Sequence, residues 1–508
     1  RLGGPLGAAG LAALLVLPGR FLRLAALALL ALGAVLLALY LAPEGHTKLL
    51  AAGGVVALLA GAGLTALFLR WPWLVVLAAL ACVPARIPVE VGGEEASLLL
   101  PLYVVVLGAA LALAYELVRG DSRRRELGPL AWPLAALVAW SGLSLAWSDD
   151  VREGAITLLA FVLPFGLLAV VVSRLRWDRR WLTATFGLLA AMALVFAAVG
   201  VFQWLTRDVF WNPKVIVGNA YAPFYRVNSV FWDPSIYGRF LVVAILAGLV
   251  LALFSPRRNP ALAAAALIVA VWVGLLFSFS QSSFAALIAG VLVAAAFAWR
   301  RRAALALGLA AVVAVSAGMS APRVRHALLR DSSVGLDRAT SGRFELVTEG
   351  GKIALAHPVI GVGIGGFKRA FADRTGLRGR EPKKAASHNT PVTVAAETGL
   401  PGLALFGWLL AAALLAAWRR PPRSFEGRAK LTFGLALAAI AVHSLFYDAF
   451  FEDPMMWALL ALIALGTRAL PADADGRPES GVLLARARAR WQSRVEPEPA
   501  KPLPPSAV

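Results

Sequence analysis

Long apolar stretches separated by short polar gaps run through most of this 508-residue chain. Stretches such as Leu98–Val118, Thr183–Leu205 and Val392–Trp418 are each long enough to cross a hydrocarbon core of about 30 Å as an α-helix. The pattern predicts an all-α fold, a polytopic transmembrane helix bundle of about 12–14 spans. Leu6–Leu17 is too short to span alone. The predicted spans lie near residues 24–41, 48–69, 72–84, 98–118, 129–147, 155–173, 181–205, 234–254, 261–277, 284–299, 303–320, 391–418, 429–447 and 455–470.

The composition agrees with a membrane protein. Hydrophobic residues make up 60% of the chain and charged residues 15%, whereas soluble globular domains hold roughly 45–50% apolar and about 25% charged residues. We therefore expect one membrane-embedded domain over residues 1–470. Residues 471–508 mix Pro, Ala, Arg and Glu without an apolar run, which predicts a disordered cytoplasmic tail. The single cysteine, Cys82, excludes a disulfide framework and a cysteine-based metal site.

The distribution of the net charge of +20 argues against nucleic acid as a partner. Basic clusters occupy the gaps at 119–128, 174–180, 255–260, 300–302 and 419–428, as cytoplasmic anchors of membrane helices do. This alternation predicts a multi-pass protein of the bacterial inner membrane with both termini in the cytoplasm. The segments predicted to face outwards are 85–97, 148–154, 206–233, 278–283, 321–390 and 448–454.

The largest outward segment, residues 321–390, is itself basic, with 13 Lys and Arg against 6 Asp and Glu. Loops longer than about 60 residues cross the membrane largely regardless of charge, so its predicted position is allowed. Two explanations for its basicity stay open: a polyanionic ligand at the outer leaflet, or a solvated surface near anionic lipid. Helix-forming residues before Gly350 predict one or two short helices in this loop, over an outward-open cavity.

Polar residues gather in the segments that are predicted to face outwards. Planar arginine side chains bind a leaving diphosphate well, and a histidine has the pKa of a base that takes a proton from a hydroxyl group. Such a set suits glycan transfer from a lipid diphosphate. No Asp-x-Asp metal motif occurs in those segments, which predicts a reaction without metal or other cofactor. The segments are Tyr225–Pro234, Ser278–Ser283, Ser341–Phe367 and Ser387–Gly402, with Tyr447, Asp448, Glu452 and Asp453 after the penultimate span.

Three of these motifs recur in the order of a known family: Arg226 ahead of Asp233-Pro234, the Pro358–Gly363 segment, and His388-Asn389 ahead of Glu397–Gly402. Over roughly residues 200–450 the chain resembles the O-antigen ligase/polymerase superfamily of bacterial membrane glycosyltransferases. The resemblance implies an undecaprenyl-diphosphate-linked glycan as donor, an acceptor glycan or glycolipid, and membrane lipid around the site. It implies His388 as catalytic base and arginines on the diphosphate.

The remaining predicted substrate-binding residues follow from position and charge. Gln281 stands in the short turn where the family often has Arg. Either Arg343 or the Lys383-Lys384 pair supplies the missing charge, or the donor binds more weakly. The lysines would also disfavour protonation of His388. Asn389 is expected to orient the histidine ring or the acceptor. The predicted substrate-binding set is Arg226, Gln281, Arg343, Lys383, Lys384, Asn389 and Tyr447.

Other polar residues are interpreted as structural. His357 is expected to end a loop helix ahead of Pro358, and His443 to be a buried, hydrogen-bonded side chain within a span. Asp233 before Pro234 is a natural N-cap. The glycines of Gly361–Gly366 resemble a phosphate loop, but no predicted strand precedes them, which argues against nucleotide binding.

Two other functions compete with glycan transfer. A transporter or lipid flippase for envelope precursors would place ionisable residues deep inside several spans. A peptidoglycan polymerase of similar topology would depend on a carboxylate rather than on His388. Within the leading hypothesis the sequence leaves open whether the enzyme is a ligase or a polymerase, since these differ only in acceptor.

Overall fold

The computed structural model describes residues 1–42, 47–91, 94–121, 126–221, 225–299, 308, 343–376, 387–419 and 422–468. Apart from residue 308, the predicted span 303–320 lies outside these residues. The whole predicted tail, residues 471–508, also lies outside them. Packing divides the chain into a unit Arg1–Gly466 and a unit Thr467–Val508. The domain boundary expected after residue 470 stays a prediction.

Helices make up nearly all of the regular structure that is described. The N-terminal part holds α1 (Gly3–Val16), α2 (Arg20–Leu41), α3 (Thr47–Arg70), α4 (Leu74–Cys82), α5 (Leu100–Val118), α6 (Ala131–Ser144), α7 (Val151–Thr157), α8 (Leu163–Ser173) and α9 (Arg179–Thr206). The C-terminal part holds α10 (Pro213–Tyr221), α11 (Pro234–Phe254), α12 (Arg258–Ser278), α13 (Gln281–Trp299), α14 (Arg343–Ala356), α15 (Phe367–Thr375), α16 (Thr390–Trp418), α17 (Phe425–His443) and α18 (Pro454–Arg468). Strands β1 (Ile87–Val91) and β2 (Glu94–Leu98) form one antiparallel hairpin, with Ile87 opposite Leu98.

Within the described ranges, ten helices are long and apolar enough to cross a membrane. The shorter helices α1 and α18 are also apolar. The predicted all-α, polytopic fold is thereby confirmed. Some boundaries differ from the prediction: the expected span 72–84 is the nine-residue helix α4. The ten helices are Arg20–Leu41, Gly53–Arg70, Leu100–Val118, Gly128–Trp147, Val151–Ser173, Arg179–Thr206, Pro234–Phe254, Arg258–Ser278, Gln281–Trp299 and Thr390–Trp418.

Glycines let the short helix α1 pack closely against α2. A Cβ atom on Gly10 would lie 2.4 Å from the backbone nitrogen of Leu30, and one on Gly33 would lie 2.2 Å from that of Gly7. Small residues allow membrane helices to approach backbone to backbone, where dispersion contacts replace the hydrophobic effect that lipid does not supply. The apolar stretch that is too short to span alone is therefore buried against α2 and α6.

A buried ion network joins two of the Arg-rich gaps. Arg23 and Arg174 both donate to Glu126 Oε1, at 2.5 and 2.8 Å, and all three side chains are at most 5% exposed. Arg174 also pairs with Glu116 at 3.1 Å and with Asp121. Removing one partner of such a network leaves a buried charge uncompensated. The gaps at 119–128 and 174–180 therefore lie at the same end of the bundle.

The C-terminal helices form two packed groups. Helix α11 packs against α12, α13 and α17, whereas α16 packs against α6, α14 and α17. Helix α17 belongs to both groups, so the residues that follow it lie beside the first residues of α11, α13 and α16. Those residues include most of the polar positions singled out from the sequence.

Candidate active site

The turn between α12 and α13 connects several of the predicted residues. Phe279 adopts a left-handed conformation, with φ of 45°, which reverses the chain over Ser278–Ser283. Arg226 Nε donates to the carbonyl of Ser278 at 3.2 Å. At the other end of the turn, the Ser282 hydroxyl lies 3.0 Å from His443 Nε2. Gln281, the residue expected to bind substrate here, is exposed as the first residue of α13.

Arg226 lies in a loop segment whose end is fixed by a helix cap. The next residue, Val227, donates its N–H to the Phe277 carbonyl at 3.1 Å. At the end of the segment Asp233 accepts from the N–H of Ser235 at 2.6 Å and caps α11, as the sequence predicts. Arg226 itself is half-buried. Its guanidinium group is thus held by Nε beside the turn.

His443, at the end of α17, has the buried structural environment that was expected for it. Its side chain is fully buried, and Nε2 lies 3.1 Å from the Ser235 carbonyl as well as close to Ser282. A carbonyl oxygen only accepts, so this contact favours the tautomer that carries its proton on Nε2. The imidazole ring therefore ties α17 to the starts of α11 and α13.

Tyr447 lies between the two histidines of this region. Its ring centroid is 5.6 Å from that of His443 and 6.4 Å from that of His388, with interplanar angles of 57° and 55°. Burial raises the pKa of the Tyr447 hydroxyl well above its ordinary value. Contacts thus lead from Arg226 through the turn to His443, then through Tyr447 to His388. Tyr447 is the link that joins the predicted base to the predicted arginine.

His388 occupies a strained position directly before α16. Its φ is 58°, a left-handed conformation that costs energy for a residue with a Cβ atom. Asn389 accepts from the N–H of Val392 at 3.1 Å and caps α16, while its amide donates to the Leu445 carbonyl at 3.1 Å. Those bonds hold the loop after α17 against the start of α16. Asn389 therefore positions the segment that carries His388, and its predicted contact with substrate stays a prediction.

Asp448 is a half-buried acid that the predicted site did not include. Thr390 Oγ1 donates to its Oδ1 at 2.6 Å, and Thr393 donates to its Oδ2. Burial raises the pKa of this carboxyl group, although the two threonine hydrogen bonds act in the opposite direction. The sequence carried a signal for it, since an acid directly follows Tyr447 at the end of a span. Its hydroxyl partners could be identified only in the structure.

A cavity of about 140 Å³ opens beside Asp448. Four carboxylates line it, from Glu153, Glu397, Asp448 and Glu452, and no Lys, Arg or His is among its lining residues. Thr390 and Thr393 add hydroxyl groups, and Phe450 and Trp457 add aromatic walls. Such a lining can accept hydrogen bonds from several hydroxyl groups at once. Sequence reasoning missed Glu153 and Glu397 as members of this group.

The glycine-rich segment after α14 packs its backbone closely against neighbouring chain segments. Gly361, Gly363 and Gly365 all have positive φ, from 66° to 83°. The N–H of Gly363 donates to the Glu397 carbonyl at 2.8 Å, and a Cβ there would lie 2.3 Å from the Ser148 Cα. The backbone groups therefore bind neighbouring chain segments, which agrees with the prediction against a nucleotide loop. His357, just after the end of α14, is exposed, as expected for a helix end.

Three predicted residues have side chains outside the described part of the chain. Helix α14 begins at Arg343, of which only the backbone is described. Lys383 and Lys384 lie in the range 377–386, outside the described residues. The prediction that Arg343 and Arg226 share one cavity therefore stays a prediction. The expected helical character of this loop is confirmed for α14 and α15.

A model of the O-antigen ligase family matches residues 266–407. Residues 266–407 are thus similar to the O-antigen ligase family. This match confirms the resemblance to the O-antigen ligase/polymerase superfamily and indicates glycan transfer in cell-envelope biosynthesis by a multi-pass membrane protein. The matched residues include the turn at Gln281, the glycine-rich segment Gly361–Gly366 and His388-Asn389. Arg226 and Tyr447 lie outside the matched residues. No curated protein matches the chain.

Proposed function

We propose that this protein transfers a glycan from an undecaprenyl-diphosphate-linked donor to a hydroxyl group of an acceptor glycan or glycolipid. The reaction takes place at the outer face of the bacterial inner membrane. The observation that carries the proposal is the series of contacts from Arg226 to His388 through Ser282, His443 and Tyr447. These contacts connect Arg226, the proposed diphosphate-binding cation, with His388, the proposed base.

In this mechanism the acceptor hydroxyl loses its proton to His388 as its oxygen forms a bond to the anomeric carbon of the donor sugar. The bond between that carbon and the diphosphate oxygen breaks, and its electron pair stays on the diphosphate. Arg226 stabilises this developing negative charge with the remaining N–H groups of its guanidinium. His388 holds the proton, and the reaction is balanced without metal or redox cofactor.

The carboxylate-lined cavity is the proposed acceptor subsite. Thr390 and Asp448 line it, and they directly follow Asn389 and Tyr447 in the chain. Arg86 pairs with Glu452 at 3.5 Å, and the other acceptors of the lining favour the hydroxyl groups of a sugar over a phosphate group, which has few protons to donate. The diphosphate would therefore lie beside Arg226 and the acceptor sugar in this cavity, on the two sides of His388 and Tyr447.

The positions of the polar residues favour an enzyme over a transporter. Arg226 precedes α11, His388 precedes α16 and Tyr447 follows α17, so all three lie in connections outside the long apolar helices. A transporter is expected to hold its ionisable substrate site near the bilayer midplane, on broken helices. This arrangement suits a reaction at the membrane surface.

The test is reconstitution of the full chain in proteoliposomes with an undecaprenyl-diphosphate-linked glycan and a soluble acceptor glycan. We expect acceptor-dependent release of undecaprenyl diphosphate together with elongated acceptor, and the same rate in the presence of a metal chelator. Movement of intact donor between leaflets, with no cleavage of the sugar–phosphate bond, would instead identify a flippase. Activity that depends on a carboxylate but not on His388 would favour the peptidoglycan polymerase alternative.

A further inference from the structure

Helix α10 is a short surface helix located between α9 and Arg226. Most of its nine residues are exposed, including Ile216 at 48% and Val217 at 57%. Two residues one turn apart, Val215 and Asn219, are half-buried and face the rest of the molecule. Asn219 is the polar one of the two. A half-buried side-chain amide needs hydrogen-bond partners. The partners of Asn219 therefore show which segment α10 positions.

Asn219 contacts the Tyr225 side chain and makes two hydrogen bonds with the backbone of Arg226. The Arg226 N–H donates to Asn219 Oδ1 at 3.0 Å, and Asn219 Nδ2 donates to the Arg226 carbonyl at 2.8 Å. One side-chain amide thus engages the donor and the acceptor of a single residue, as a neighbouring strand would. Such a pair of bonds fixes the orientation of the residue about its backbone as well as its position.

The two backbone bonds act together with the bond that Arg226 makes through its side chain. Nε donates to Ser278, so Arg226 is held at its backbone N–H, at its carbonyl and at Nε. Within the described part of the chain, no hydrogen bond occupies the two terminal nitrogens of the guanidinium. A planar group fixed in this way directs its remaining N–H groups to one place, which a bidentate contact with a phosphate group requires.

We infer that Asn219 is a positioning residue for Arg226, and that it determines how tightly the site binds the diphosphate of the lipid-linked donor. This inference rests on the proposed function. Without Asn219 the arginine keeps its charge but loses its fixed direction. Its side chain must then become ordered when the diphosphate binds, and this loss of entropy weakens binding. Loss of Asn219 should therefore weaken binding of the donor and leave binding of the acceptor unchanged.

The test measures the Kd of undecaprenyl diphosphate for the purified full chain in detergent, for the natural protein, Asn219→Ala, Arg226→Ala and the double variant. Loss of two neutral hydrogen bonds predicts a Kd about 10-fold higher for Asn219→Ala. Arg226→Ala should weaken binding more, and adding Asn219→Ala to it should change the Kd no further, because the two residues act as one unit. Val217→Ala on the exposed face of α10 is the matched control and should bind normally.

Turnover assays separate positioning from folding. Asn219→Ala should raise the KM for the donor about 10-fold and leave the KM for the acceptor unchanged. A further loss of binding on adding Asn219→Ala to Arg226→Ala would overturn the inference in favour of a scaffold role, as would equal rises in both KM values. If Asn219→Ala binds normally while Arg226→Ala does not, the inference alone fails. If Arg226→Ala binds and turns over normally, the proposed function fails with it.

Discussion

The ring of Tyr447 lies 6.4 Å from that of His388 and is tilted by 55° to it, although the two residues lie in different connections between helices. Tyr447 also contacts His443, so one aromatic side chain separates two histidines of different character. His443 is fully buried and hydrogen-bonded to Ser282, whereas His388 is half-buried before α16. Of these two histidines, only His388 combines partial exposure with a rigid aromatic neighbour, which is an environment that suits a base for an incoming hydroxyl group.

Replacing His388 tests the assignment of the base. His388→Ala should lower turnover by about 10²–10⁴-fold, which is the usual contribution of general base catalysis. His357→Ala, at the exposed end of α14, should cost far less. The measurement is the rate of glycan transfer in proteoliposomes, with the thermal midpoint of each variant as a check on folding. Near-normal transfer by His388→Ala with loss in His357→Ala would mean that the wrong histidine was assigned, and no effect of either would refute the mechanism.

Replacing Arg226 tests the diphosphate contact. Arg226→Lys keeps a positive charge but not the planar arrangement of donors, so we expect it to lose most of the activity that Arg226→Ala loses. The KM for the donor should rise, whereas the KM for the acceptor should stay the same. Arg258→Lys, at the exposed first residue of α12, is the matched control. Full activity of Arg226→Lys would show that a positive charge at position 226 is sufficient and that the planar guanidinium is not required.

The acidic cavity predicts a particular dependence of stability on pH. Burial raises the pKa of Asp448, so the folded state favours its protonated form. The stability from this group is therefore complete below the pKa of an unfolded aspartate and is lost as the pH rises through the raised value. We expect the thermal midpoint of the detergent-solubilised protein to fall over that range, and to fall less in Asp448→Asn.

Glu349 is a control because its pKa is shifted in the opposite direction to that of Asp448. Its hydrogen bond with Lys352 and its contact with Arg374 lower the pKa of this carboxyl group. Its contribution is therefore present above the unfolded pKa and is lost as the pH falls through the lowered value. Glu349→Gln should flatten only the acid side of the curve. If Asp448→Asn also changed only the acid side, the burial of Asp448 would not govern its ionisation.

Membrane orientation can be tested with single cysteines in a background without Cys82. Val359→Cys, 67% exposed in the segment after α14, should react with an impermeant maleimide added to intact spheroplasts. Arg423→Cys, exposed before α17, should react only after permeabilisation. This expectation follows from the basic gap at 419–428. Equal labelling at both positions would refute the predicted orientation, whatever the activity of the protein.

Local features determined much of the architecture. Apolar runs predicted the membrane helices because a bilayer admits few other structures for such sequences. Asp233 before Pro234 predicted the start of α11, since an N-cap side chain satisfies backbone groups only two or three residues away. The start of α16 after Asn389 follows the same rule. In each case the interacting groups are neighbours in the chain, so the sequence by itself was sufficient.

Contacts between distant segments were decided by the tertiary structure alone. Glu153 and Asp448 line one cavity although they lie far apart in the sequence, and Asn219 binds Arg226 only because α10 folds back on it. Apolar helices can pack in many arrangements of similar hydrophobicity, so hydropathy does not specify which helix ends meet. That choice depends on the shapes of small residues such as Gly10 and Gly33 and on buried polar pairs, which act only once the helices are in contact.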